Sequence, residues 1–334
     1  MTSPDQDLTG KVAIFALGGT IAMVPGVDSG AVPRLDANDL VKAVPALAAF
    51  DLDAVSFRQK PGAHLTFDDI ESLAGQIQKA CERGATGVVV TQGTDTIEDV
   101  AFALDLLLDL SRPVVVTGAM RNPSLAGADG PANLLAAVHV ARSPVARDLG
   151  VLVVFNDELH AARFVTKQHT TNVAAFVSPN AGKLGWLSEG AVVVPLRLPK
   201  GPCIARLPDP RPAHVPLLTL TLDFDIRTLK AVAETDVDAL VVEALGGGHC
   251  GPEVAVVLAG IAAEKPVILA SRTGAGQVLR NTYGFPGSEM DLLGKGLVDS
   301  GWIDGRKARI LTALAMRYGA SPQRISDLLT AFRG

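Results

Sequence analysis

The sequence has little cysteine, few aromatic residues, no basic excess and no long apolar run, and each shortage removes a class of protein. Cysteines stand only at positions 81, 203 and 250, too few and too scattered for a disulfide framework or a zinc site. An odd set of separated thiols fits a reducing compartment, so the expected location is the cytoplasm. The first ten residues carry Asp5 and Asp7 but no basic residue, and Val12–Leu17 is too short for the apolar region of a secretory signal. No stretch approaches the roughly eighteen consecutive apolar residues of a membrane-spanning helix. Lys and Arg number 30 against 35 Asp and Glu, a net charge of −5 that suits a nucleic-acid polyanion poorly. His139, His160, His169 and His214 lack metal-ligand spacing and read as structural or surface residues. The expected protein works without metal, nucleotide, nucleic acid or membrane.

What is present is a generous core: 48% of the 334 residues are hydrophobic and 19% charged, which excludes wholesale disorder and gives a prior of about two domains. Short apolar runs at Val12–Leu17, Ala54–Phe57, Gly87–Val90, Pro113–Val116 and Gly150–Phe155 alternate with helical patterns. Those patterns cover Ala37–Ala49, Phe67–Arg83, Asp95–Leu108 and Ala132–Ala141. In the third, Ile97, Val100, Ala101, Leu104, Leu107 and Leu108 recur at three- and four-residue spacing behind an acidic first turn. Unbroken apolar strands between helices predict a mainly parallel sheet covered on both faces. Prolines then cluster at 199, 202, 208, 210, 212 and 216, and the alternation resumes with Leu217–Leu222, Arg227–Glu234, Ala239–Glu243, Pro252–Ala263 and Val267–Ala270. Two helices, near Arg306–Tyr318 and Pro322–Phe332, close the chain. The expected fold class is therefore two α/β domains: a larger N-terminal one over residues 1–195, a proline-rich linker over 196–214, and a smaller C-terminal one over 215–334.

In open α/β sheets ligands gather at the carboxyl ends of the strands. The first strand here runs into Gly18-Gly19-Thr20, the third into Thr91-Gln92-Gly93-Thr94-Asp95, and the fourth into Thr117-Gly118-Ala119-Met120-Arg121. Glycine permits tight turns and close backbone approach, and a hydroxyl follows in two of the three. One Gly-Thr is most simply a turn or a helix cap. A pair, with a second glycine before one threonine and Asp95 after the other, points instead to two alcohols brought to one sheet edge. Lys167, in Val165-Thr166-Lys167, adds a cation after the fifth strand.

Gly18-Gly19-Thr20-Ile21-Ala22 and Gln92-Gly93-Thr94-Asp95-Thr96 resemble the two signature segments of the bacterial-type L-asparaginase (asparaginase–glutaminase) family. Val116–Arg121, Ala128-Asp129-Gly130-Pro131-Ala132-Asn133-Leu134, and Val165–Lys167 with Thr170-Thr171 extend the likeness over about residues 11–180, and Lys307-Ala308-Arg309 continues it more weakly. The resemblance implies hydrolysis of the side-chain amide of L-asparagine, or in the alternative a glutaminase-asparaginase of broader specificity that also takes L-glutamine, by Thr20 as nucleophile through an acyl-enzyme ester. It assigns proton handling to Thr94, Asp95 and Lys167. Asp95 beside Lys167 favours the charged ammonium, so the lysine reads as a fixed positive charge that supports Thr94 rather than as a free base. Asp95 also pairs with the substrate ammonium, backbone N–H groups at Thr20 and Thr94 serve the oxyanion, and Gly62, Ala63 and Ala119 line the substrate site. The resemblance further implies a homotetramer, a dimer of dimers, in which a neighbouring subunit completes the site. Gly246–His249 and the stretch from Asn281, with Tyr283 and Glu289, are the candidates for that contribution.

The sequence departs from the family pattern in two places. The family's loop after the first strand carries a tyrosine that assists the nucleophile, whereas Ala22–Pro45 contains none, the chain's only tyrosines being Tyr283 and Tyr318. The Ser-Gln segment that takes the substrate carboxylate is replaced near Pro61-Gly62-Ala63-His64. Two readings from other classes compete. Gly246-Gly247-Gly248-His249-Cys250-Gly251 satisfies G-x-G-x-x-G after a strand and before a helix, which admits an NADP-binding oxidoreductase. A non-catalytic amino-acid-binding protein would also keep the pocket.

Overall fold

The computed structural model describes residues 10–24, 32–33 and 36–333. They fall into two compact units that divide between Cys203 and Ile204, inside a stretch, residues 194–216, that contains no helix or strand.

The first unit is organised by an eight-stranded sheet. Its strands are β1 (Val12–Ala16), β2 (Leu52–Ser56), β3 (Gly87–Thr91), β4 (Val114–Thr117), β5 (Val151–Phe155), β6 (Glu158–Ala161), β7 (Gly185–Ser188) and β8 (Ala191–Val193). Across the sheet they stand in the order β8-β7-β6-β5-β4-β3-β1-β2. The five strands from β5 to β2 are parallel, as the apolar runs predict. Every residue of β1, β3, β4 and β5 is buried, because helices cover both faces. Helices α1 (Ala37–Lys42) and α4 (Gly130–Arg142) share an apolar cluster with Val12, Ile14 and Ala16, the alternate residues of β1. Helices α2 (Phe67–Glu82) and α3 (Ile97–Leu107) pack together, and α3 meets β4 and β5.

Three antiparallel strands extend the sheet beyond the expected parallel set. The connection from β5 to β6 is Asn156-Asp157, both at positive φ (+52° and +59°), the backbone of a two-residue hairpin that matches strand twist. The expected helix over 37–49 is broken. Helix α1 stops at Lys42, and Pro45, which has no N–H to continue it, opens a separate 3-10 turn over Pro45–Ala49.

The second unit carries a four-stranded parallel sheet in sequential order: β9 (Leu217–Thr219), β10 (Leu240–Ala244), β11 (Val267–Ser271) and β12 (Val298–Asp299). Helices α5 (Ile226–Ala233), α6 (Pro252–Ala262) and α7 (Glu289–Gly294) lie in its crossovers, and α8 (Gly305–Arg317) and α9 (Pro322–Thr330) follow. Asp225, Ser288, Asp304 and Ser321 cap α5, α7, α8 and α9 through their side chains. No helix among the described residues is long and apolar enough to cross a membrane.

Strand order in the first sheet has a consequence for the position of any ligand. From β1 the chain moves outward to β2, then returns past β1 to β3 and proceeds in the opposite direction. Strands β1 and β3 are neighbours whose onward connections diverge, which opens a crevice beyond their carboxyl ends. The turns leaving these strands touch. A Cβ built on Gly19, whose φ is +85°, would lie 2.0 Å from the Gly93 nitrogen and 2.2 Å from its Cα. No side chain fits there, and none but glycine holds that φ without strain.

Gly84, at the end of α2, has a comparable φ of +101° but open space where its Cβ would stand. Urea unfolding of Gly84→Ala is expected to show a loss of about 1 kcal/mol, the backbone cost alone. Gly19→Ala is expected to lose at least about 2 kcal/mol more, since two main chains must separate. Equal losses would show that the turns are free to part.

Candidate active site

The crevice is walled by backbone brought unusually close. Leu17 N donates to Thr91 O at 2.8 Å, Lys60 N donates to Leu17 O at 2.9 Å, and Gln92 N donates to Thr117 O at 3.1 Å. These bonds register the ends of β1, β3 and β4 and the loop after β2. Thr20 follows Gly19 and opens a 3-10 turn, Thr20–Ala22; Thr94 follows Gly93 and opens another, Thr94–Thr96. The two threonines thus each succeed one of the two touching glycines. Thr20 is half-buried and no described residue hydrogen-bonds its hydroxyl. Thr94 is buried.

Lys167 reaches this edge from a short ladder in which Thr166–Lys167 pairs with Phe176–Val177. Its main-chain N–H donates to the buried carboxylate of Glu98 on α3 at 3.3 Å, which fixes the start of the side chain. Its Nζ then donates to Thr94 Oγ1 and to Asp95 Oδ1, both at 2.9 Å. The side chain is 15% exposed while that of Asp95 is 70% exposed, so a largely buried ammonium bridges a buried hydroxyl to a carboxylate facing solvent. The expected trio of Thr94, Asp95 and Lys167 is therefore assembled. A hydroxyl oxygen that accepts from an ammonium keeps its own proton for a third partner and has a positive charge beside it when electron density builds up.

Behind the site, Asp129 and Asn133 of the α4 start tie the strand ends together. Asp129 accepts from Met120 N and Arg121 N, each at 2.9 Å, which folds back the turn after β4. Asn133 donates to Gly118 O at 3.0 Å and accepts from Asn156 N at 3.0 Å, linking that turn to the β5–β6 hairpin. Ala119 lies in this knot with no exposed surface, and its Cβ faces Gly130. Its methyl group is thus packed inside the protein.

Gly62 is buried and opens the 3-10 turn Gly62–His64; Ala63 is exposed. A Cβ on Gly62 would stand 3.1 Å from Gly93 O, so this turn rests against the turn that carries Thr94. The N–H groups of Gly62 and Ala63 begin a helical turn and have no partner within it, as at any such terminus. Sequence reasoning missed what anchors this loop. Asp69, buried in the first turn of α2, accepts from Arg58 Nε and Lys60 Nζ at 2.7 Å each and from the main chain and hydroxyl of Thr66 at 3.2 Å. The signal was available, since Thr66-x-x-Asp69 before an apolar periodic run spells a capping box.

Two expectations need correction. Glu289 is not free to serve a neighbouring subunit: it is fully buried, its Oε1 accepts from Thr282 N and Tyr283 N at 2.9 and 2.8 Å, and its Oε2 pairs with His249 Nε2 at 3.1 Å. What it does is hold a surface cluster in which His249, Tyr283 and Phe285 meet ring to ring, with Tyr283 44% exposed. The glycine run 246–251 is also closed to a dinucleotide. Leu245 and His249 bond across it, a Cβ on Gly247 would meet Leu279 at 2.6 Å, and Cys250 N donates to Gly287 O at 2.8 Å. A pyrophosphate needs free main-chain N–H groups at that turn, and those of Gly248, His249 and Cys250 are already spent on Leu245 O and Gly287 O. Within Ala22–Pro45, the segment without tyrosine, residues 25–31 and 34–35 lie outside the described residues. Among the described residues no group of three or more His, Cys, Asp or Glu is placed to hold a metal ion.

Against this geometry the comparisons with known proteins are direct. The family described as asparaginase, N-terminal, matches residues 11–199, and the glutaminase/asparaginase C-terminal domain matches residues 214–329. The probable L-asparaginase of Deinococcus radiodurans is 36% identical over 96% of this chain and 97% of its own length. L-asparaginase 2 of Escherichia coli K12 is 32% identical over 96% of this chain and 93% of its own. The crystal structure of a probable cytoplasmic L-asparaginase from Campylobacter jejuni superposes with a TM-score of 0.85 at 30% identity, covering 96% of this chain and 99% of that one.

The Asp69 cluster has a pH signature. Burial alone would raise the carboxyl's pKa, but hydrogen bonds from Lys60, Arg58 and Thr66 bring it down to about 2 from the usual 3.8. A depressed native pKa adds stability that is complete above the unfolded value and is lost as pH falls through the native one. Urea-derived stability is expected to fall between about pH 4 and pH 2, and Asp69→Asn to flatten that segment of the curve. A slope unchanged by the substitution would assign the acid sensitivity elsewhere.

Proposed function

The chain belongs to the asparaginase family across both of its units, and it hydrolyses the side-chain amide of L-asparagine to L-aspartate and ammonia; we propose that it does so through an ester on Thr20. The observation that supports this reading is the contact of Gly19 with Gly93 at the sheet's switch point, each glycine being followed by one of the two threonines. An alcohol holds its proton tightly at neutral pH, so the nucleophile needs a partner to receive it.

In the proposed first step Thr20 Oγ attacks the amide carbon and the C–N bond breaks. The hydroxyl proton leaves with the nitrogen as ammonia. Thr94, charged from behind by Lys167, is the relay. Its oxygen is held by the ammonium while its own proton is free to enter the exchange between Thr20 and the leaving group. In the second step water attacks the ester, the Thr20 oxygen regains a proton, and aspartate departs. Main-chain N–H groups of Thr20 and Thr94 serve the oxyanion in both steps.

Substrate ends are assigned by charge. Asp95 gives one oxygen to Lys167, while the other has no partner among the described residues and is suited to the substrate ammonium. The N–H groups of Gly62 and Ala63 are suited to its α-carboxylate. L-glutamine, longer by one methylene, is the second substrate. The further proposal is a homotetramer, a dimer of dimers, in the cytoplasm, with the Tyr283, His249 and Phe285 surface completing a neighbour's site. The exposure of Tyr283 and Phe285, clustered on the half-buried ring of His249, supports that surface as a contact.

Purified protein is expected to release ammonia from L-asparagine, more slowly from L-glutamine, and not from simple amides lacking the amino-acid end. Thr20→Val and Thr94→Val are each expected to lower kcat at least about a hundredfold, the scale of a lost nucleophile or proton relay. Near-normal turnover by Thr94→Val would contradict the two-threonine mechanism, and failure on every amino-acid amide would contradict the activity itself.

A further inference from the structure

Thr96 stands where a threonine ordinarily caps its own helix. It is the N-cap residue of α3, yet its side chain makes no cap bond. The hydroxyl donates instead to Gly62 O, 34 residues away in sequence, at 3.0 Å. Gln92 Nε2 approaches the Thr96 hydroxyl oxygen itself at 3.5 Å, and its other contact is Gly93 O at 3.4 Å. Gln92 is fully buried, so its amide is confined beside the turn that carries Thr94 and the hydroxyl of Thr96. These turns already touch: a Cβ on Gly93 would stand 3.0 Å from Gly62 N.

We propose that Thr96 is a positioning residue that fixes the spacing and direction of the Gly62–Ala63 turn against the Thr94–Asp95 turn, and thereby the length of amino-acid amide the site accepts. The inference rests on the substrate reading given above and extends it. Its physical basis is the planarity of the peptide unit: Gly62 C=O and Ala63 N–H belong to one rigid plane and point in opposite directions. Anchoring the carbonyl on Thr96 therefore aims the Ala63 N–H away from α3. A substrate gripped by Ala63 at its carboxylate and by Asp95 at its ammonium presents its amide carbon at a distance set by the chain between them. Asparagine and glutamine differ in that distance by one methylene, so a turn held in one orientation distinguishes them and a turn free to rotate does not.

The test uses steady-state kinetics on both amides with the whole protein. Thr96→Val keeps the shape and removes the donor, Thr96→Ala removes it in a second background, and Thr96→Ser restores it. Both deletions are expected to raise KM for asparagine about tenfold with kcat within about threefold, and to cut the asparagine-to-glutamine ratio of kcat/KM at least about fivefold. Thr96→Ser is expected to return KM and the ratio to within about twofold of the parent. Unchanged KM and ratio in the deletions would overturn the inference, as would a kcat loss at constant KM or a serine variant that restores nothing. A parent protein inactive on every amino-acid amide would instead overturn the substrate reading beneath it, and that is measured first.

Discussion

The contact between two glycines carries the architecture of this site. Strand order makes β1 and β3 neighbours with diverging connections, and their turns close on one another until Gly19 and Gly93 leave no room for a methyl group. Each strand then delivers a threonine one residue later. Nothing in either Gly-Thr alone requires this. It follows from a parallel sheet that reverses its direction of growth at this point and from one position, Gly19, where the backbone must be bare against Gly93.

Charge is arranged around that contact so that the buried group is positive and its neutralising partner is wet. Lys167 enters from beyond β6, steadied at its main chain by Glu98, and shares its ammonium between Thr94 and Asp95. Because Asp95 remains exposed, the pair avoids the full desolvation of a buried ion pair while the hydroxyl still feels the cation. On the other wall, Asp69 gathers Arg58, Lys60 and Thr66, so the loop holding Gly62 and Ala63 is braced by charge as well as by main-chain bonds. The same economy governs the segment leading out of the first unit. Arg163 donates to Pro199 O, Lys200 pairs with Asp109 at 2.9 Å, and Arg197 donates to Val145 O at 2.7 Å, so a segment without a strand ladder is tied down by charged side chains.

The parallel strands were legible because burial on both faces makes them short unbroken runs of valine, isoleucine and alanine. The helices were legible from their three- and four-residue spacing, and Thr94, Asp95 and Lys167 from their places at strand ends. What escaped was set by tertiary geometry. Strands β6 to β8 are short and carry polar residues such as Glu158, His160 and Ser188, with β7 and β8 half-exposed, and so resemble loop; Asn156-Asp157 was the one local sign of their hairpin. Glu289 stood as a candidate for a neighbouring subunit's site, whereas in the folded chain both of its oxygens are taken by local partners. The glycine run at 246–251 satisfied a nucleotide fingerprint by spacing alone, and only the side chain of Leu279 and the carbonyl of Gly287 reveal that its turn is filled. Thr96 sat inside a recognised segment without a role because its partner, Gly62, is distant in sequence.

The claim on which the mechanism stands is that Thr20 and Thr94 act on one bond as a unit. A double-variant cycle measures this directly: residual ammonia release from asparagine is compared for Thr20→Val, Thr94→Val and the protein carrying both. Residues that share one reaction centre lose their effect together, so the double variant is expected within about threefold of the slower single one. Losses that multiply, as for independent sites, would contradict the account.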